Sequence, residues 1–172
     1  MILLTTPKKE KRNRFPFLLS LFSVLFCLSL TESYAQKAFL IDEYIIGEGE
    51  KNTDFLKSLV YDNVPSIIIK DSNVQIVGEG FPQKVSVDIN SFSALTSENE
   101  IFRTVKLLQI NLDSAAEKSA LRINLGNLKS FSNLAYIFIN SKIALTSEEV
   151  QMMVSGFDEG DFILLYQVNS NF

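Results

Sequence analysis

Apolar and polar positions alternate along this chain in two periods, and the switches between them predict its elements. In "KAFLIDEYIIGEG" (37–49) the apolar residues between Phe39 and Ile46 predict a strand ending in a Gly-Glu-Gly turn. "NTDFLKSLVYDN" follows with Phe55, Leu56, Leu59 and Val60 at one-sided helical spacing, Asn52 or Thr53 placed to cap, and Pro65 beyond the end. Two β-branched runs, Ile67 to Ile69 and Val74 to Val77, are separated by Asp71, Ser72 and Asn73, which predicts a hairpin. Gly78, Gly80 and Pro82 then interrupt the pattern.

The remainder contains a repeat. "INSFSALTSE" from Ile89 and "INSKIALTSE" from Ile139 agree at eight of ten positions. Each follows an alternating run, "KVSVDIN" (84–90) or "LAYIFIN" (134–140), that predicts a strand. Thr146 can cap a helix with Glu149 completing a capping box and Leu145 stapling to Val150, whereas the first copy has Asn99 at the box position. The shared decamer therefore predicts a strand-to-helix corner used twice, and the Ser/Thr/Glu cluster belongs to capping rather than to a catalytic serine.

At the same phase, "VKLLQIN" from Val105 and "ILLYQVN" from Ile163 give two further units. The four starts, Lys84, Val105, Leu134 and Ile163, lie 21, 29 and 29 residues apart, with Asn at position seven of each unit. The expected fold class is α/β: parallel strands linked by short helices, preceded by the N-terminal strand, helix and hairpin. Residues 84–172 could form a short repeat-like solenoid or a compact α/β layer.

The spacing and the L-x-x-L-x-L pattern resemble leucine-rich repeats, most closely in "LGNLKSFSNLAYIFIN" (125–140), where Leu125, Leu128, Phe131 and Leu134 lead into the strand. The resemblance spans about residues 81–172 and implies one strand per repeat in a parallel sheet, with a helix or irregular turn as the return. It departs from the family at position nine, where the family carries Asn and this chain has Phe92, Asp113, Lys142 and Asn171. Lys84 also occupies the first apolar position of the first unit.

The first thirty-five residues have a different pattern. "PKKEKRNR" is a basic start, Phe15 to Leu30 is an apolar run, and Ser33-Tyr34-Ala35 is a cleavage signature, so residues 1–35 are expected to be an export signal preceding a single domain at 36–172. The run is shorter than the roughly twenty residues of a spanning helix. Its flanks do not make Cys27 a lipidation site, since bulky Phe26 precedes it. The expected location is periplasmic or extracellular, without stable membrane insertion after signal removal.

Removal of that segment changes the charge. It takes five of the sixteen basic and two of the twenty acidic residues, leaving a formal charge of −7, which disfavours nucleic acid and anionic lipid as partners. The chain has no His and its single Cys lies in the signal, so disulfides, the usual zinc sites and Ser-His or Cys-His catalysis are excluded from the mature domain. No cofactor or metal is implied.

If positions four and six of each unit face inward, positions three, five and seven line an open face. They are Ser86, Asp88 and Asn90; Leu107, Gln109 and Asn111; Tyr136, Phe138 and Asn140; Leu165, Gln167 and Asn169. Tyr136, Phe138, Asn140, Gln109, Asn111, Gln167 and Asn169 are the candidate contacts for a protein or peptide partner, combining aromatic area with directional amides. The N-terminal elements could instead cover that face and make the rings core. Asp158, Glu159 and Asp161 could hold Ca²⁺ but lack its loop spacing, and an ordinary turn accounts for them. A carboxylate-dependent hydrolase, with Glu43, Glu79 or Asp88 as acids, is the alternative to a non-enzymatic binding or structural module.

Overall fold

A computed structural model describes residues 37–48, 50–156 and 162–169. Residues 1–35, expected to be an export signal, lie outside them. Strand β1 (Ala38–Leu40) runs directly into helix α1 (Ile41–Glu48), which is followed by α2 (Glu50–Tyr61). The hairpin is β2 (Ser66–Lys70) and β3 (Asn73–Val77). Then come β4 (Lys84–Asp88), two 3₁₀ segments (Ile89–Thr96 and Glu100–Thr104), β5 (Leu107–Leu112), α3 (Ala115–Ala120) and β6 (Ile123–Asn124). A short 3₁₀ turn (Leu125–Asn127) leads to β7 (Tyr136–Ser141), α4 (Ser147–Met153), β8 (Val154–Ser155) and β9 (Ile163–Val168).

Among the described residues seven strands form one mixed sheet in the order β1-β9-β7-β5-β4-β2-β3. Every pairing is parallel except the β2–β3 hairpin. The protein is thus an α/β fold in which a mostly parallel sheet is interleaved with short helices. The strands β4, β5, β7 and β9 are neighbours in chain order, as the repeat predicts, but no solenoid is found, because β1 and the hairpin extend the same sheet at its two ends.

Alternation sorts the strand residues onto two faces. Val85, Val87, Leu108, Ile110, Ile137, Ile139 and Leu164 point to the face crossed by the connections, where Leu95, Phe102, Leu121, Phe131, Val150 and Met153 complete the main core. Phe102 and Phe131 stack there with centroids 4.8 Å apart. The opposite face carries a second, smaller core: Leu107, Phe138 and Leu165 lie beneath Ile41, Leu56 and Leu59 of the two N-terminal helices. Lys84 links that cover to the sheet by donating from Nζ to the Val60 carbonyl at 3.2 Å, a cation placed on the last turn of α2. Its partial burial lowers the ammonium pKa.

Three expectations need correction. The strand predicted for Phe39 to Ile46 is a three-residue strand followed by a helix, because Ile41, Tyr44 and Ile45 repeat at helical spacing and all pack on the second core. The helix predicted from Asn52 spans Glu50–Tyr61, so Asn52 and Thr53 lie inside it, and Phe55 is exposed while Leu56 and Leu59 carry the packing. The repeated decamer does not make the same corner twice. At Thr146 the capping box forms as expected, with Glu149 N–H donating to Oγ1 and Thr146 N–H donating to the Glu149 carboxylate. In the first copy Asp88 caps a 3₁₀ segment eight residues earlier, and Asn99 caps the next one.

The strand register also differs from the predicted phase. Leu107 pairs with Tyr136 as expected, but Lys84 pairs with Leu107 and Tyr136 with Ile163, so the first and last units are each displaced by two residues. Their alternation is unchanged by an even displacement, and each side chain keeps its predicted face.

Candidate functional site

Beyond the cover of α1 and α2, the second face of the sheet changes from apolar to polar. Each strand makes the change within two residues: Leu107 is followed on that face by Gln109 and Asn111, Phe138 by Asn140, and Leu165 by Gln167. Register places Asp88, Asn111, Asn140 and Gln167 side by side near the C-terminal ends of four parallel strands.

The spacing of neighbouring strands suits side-chain amides stacked across a sheet. Asn169 Nδ2 donates to Asn140 Oδ1 at 2.6 Å, Asn140 Nδ2 to Asn111 Oδ1 at 3.4 Å, and Asn111 Nδ2 to Ser86 Oγ at 3.0 Å. Gln109 Nε2 donates to Asn111 Oδ1 at 2.9 Å. The result is a directional row of hydrogen bonds crossing from beyond β9 to β4. It forms the floor of an open concavity of about 520 Å³, whose wall includes Ile68, Lys70, Asp113 and Lys142.

Charges of both signs flank the row. Lys142 Nζ lies 2.9 Å from Asp113 Oδ1. On the other side Asp88 receives the Asp71 N–H at 3.0 Å and the Ser91 N–H at 2.8 Å. Burial alone would raise the Asp88 pKa, but the hydrogen bonds from Ser91 and Asp71 and the nearby Lys70 charge together hold it below the ordinary carboxylate value. These contacts also hold the hairpin turn. Asp71 and Ser72 have positive φ, 50° and 64°, and the Ser72 N–H donates to Ser91 Oγ at 3.0 Å.

Of the predicted contacts, Gln109, Asn111, Asn140 and Asn169 are joined in one network, and Gln167 stands in register beside Asn140. The aromatic pair is elsewhere. Phe138 is 2% exposed in the second core, and Tyr136 is half-buried beside it, where burial raises its hydroxyl pKa. The covered-face alternative therefore describes the ring half, and the open-face reading describes the amide half.

Lys70, Asp113 and Lys142 were absent from the predicted set. The signal for two of them was present, since Asp113 and Lys142 lie two residues past Asn111 and Asn140 and continue the same alternation. Glu43 lies in electrostatic reach of Tyr166, and Glu79 lines a separate depression with Phe81 and Lys106, so these acids do not join Asp88. Asp158, Glu159 and Asp161 lie outside the described residues. No metal-holding cluster of acidic side chains occurs among those described, and no described helix is long and apolar enough to cross a membrane.

No protein-family model, no curated protein and no solved structure matches this chain.

Proposed function

We propose that the protein is an exported binding module, periplasmic or extracellular, that holds a protein or peptide partner against the polar half of the sheet. The observation that carries this reading is the hydrogen-bonded row Asn169–Asn140–Asn111–Ser86 on the floor of an open concavity. Side-chain amides offer the same donor and acceptor groups as a peptide backbone, and the row orders them before any partner arrives, which lowers the entropic cost of association. Lys70 and Lys142 beside Asp88 and Asp113 supply charges of both signs for selection among partners.

Recognition is favoured over acid-base chemistry because both carboxylates at the concavity are already engaged. Asp113 pairs with Lys142, and Asp88 is held ionised by two backbone N–H groups. A general acid needs the opposite shift.

Photo-crosslinking in the native envelope tests the reading. A photoreactive residue introduced at Lys142 or Asn169 is expected to give a discrete protein adduct that is absent when it is placed at Arg103, an exposed position on a connecting segment. Identical adducts from all three positions, or none from the first two, would remove the concavity as the contact surface.

A further inference from the structure

Strand β3 is exposed at all five of its residues, and among the described residues nothing pairs with its outer side. It lacks the devices that keep a sheet edge from pairing: "NVQIV" carries no charge and no proline, and its register with β2 runs from Asn73 to Val77 without a bulge. Val74 and Ile76 lie opposite Ile69 and Ile67, so they continue the face of the main core past its cover, and they are 61% and 55% exposed. The other edge is protected. β1 has three residues, and Ser147 Oγ donates to the Ala38 carbonyl at 2.7 Å.

We propose that β3 is a self-association strand, pairing antiparallel with β3 of a second copy of this chain to give one continuous sheet across a two-fold axis. Such an axis, perpendicular to the sheet, keeps each face on its own side, so paired residues must share pleat parity. Among registers of that kind, the one centred on Gln75 pairs all five residues. It sets Gln75 against Gln75 and Val74 against Ile76 twice, the β-branched pairing that stabilises ladders. Because the strand is uncharged, self-pairing sets no like charges against each other within it. A charged peptide would find no counter-charge on it. One strand pair makes a small interface, so association belongs in the roughly micromolar to millimolar range.

The inference is independent of the amide row and is tested without it. Sedimentation velocity on protein produced from the full chain, over a concentration series reaching the millimolar range, is expected to show a reversible dimer. Gln75→Lys sets two ammonium groups across the axis and is expected to weaken the dimer about fivefold or more. Gln75→Cys is expected to form a disulfide dimer under mild oxidation, because directly opposed residues stand within bridging distance. Val74→Cys, which faces position 76, should do so far less, and the unsubstituted protein accounts for any contribution of Cys27. A strictly monomeric protein that does not cross-link through position 75 overturns the proposal. So does a dimer that Gln75→Lys leaves unchanged, or equal cross-linking through positions 74 and 75.

Discussion

The two halves of the helix-covered face are built from the same strands and the same pleat, yet they are stabilised by different physics. Leu107, Phe138 and Leu165 gain from removal of apolar surface beneath α1 and α2. Two to four residues further along, Asn111, Asn140 and Asn169 keep contact with water and are ordered by one another. A face of this kind separates anchoring from polar display: the first half anchors the strands, and the second is free to present polar groups. The boundary depends on where the helical cover ends, since a buried amide without a partner would cost more than it returns.

The largest expected effect lies on the apolar half. Phe138→Ala should destabilise the protein by about 3–5 kcal/mol in urea titration, through a cavity beneath α1 and α2. A loss below about 1 kcal/mol would mean that the helices do not pack on the ring. Asn140→Ala removes the middle of the amide row and should cost only about 1 kcal/mol, since exposed Asn169 and half-buried Asn111 can both turn to water. A cost equal to that of Phe138→Ala would erase the distinction between the halves.

Asp88 ties the polar half to acid stability. Its folded-state pKa is below the unfolded one, so its contribution is present above the unfolded carboxyl value, about 4, and is lost as pH falls through the folded value. Asp88→Asn should therefore reduce the drop in melting temperature between about pH 6 and about pH 3. An unchanged drop would place the acid sensitivity elsewhere. The smallest effect is expected at the turn that Asp88 holds. Ser72 sits at φ 64°, so Ser72→Gly should relieve left-handed strain and stabilise the hairpin by about 0.5–1 kcal/mol, read as a raised midpoint in the same titration.

Much of this arrangement was legible in the alternation of the chain. The hairpin, the four parallel strands and the amide column follow from periods and turn residues, because side-chain direction in a strand is a local property. What was not legible depended on partners distant in sequence. Nothing near Phe138 states that Ile41, Leu56 and Leu59 cover it, since that contact depends on β1 pairing with β9. The two copies of the decamer diverge for a similar reason. Asp88 stops its strand by taking N–H groups from Asp71 and Ser91, and Asp71 belongs to the hairpin, whereas Phe138 lies at the corresponding place before the second copy.

The pairing of β1 with β9 also sets a timetable. Strands β2, β4, β5 and β7 can assemble in the order in which they leave the ribosome or a translocation channel, each adding to a neighbour made shortly before. Ala38 meets Leu164 only after nearly the whole described chain has been made. Until then β1 has no strand beside it, and the second core lacks Leu165. The polar row from Ser86 to Asn140 is complete earlier. Closing so long a loop carries an entropic cost that the interior strands avoid, so the β1 edge of the sheet can close only once β9 is present.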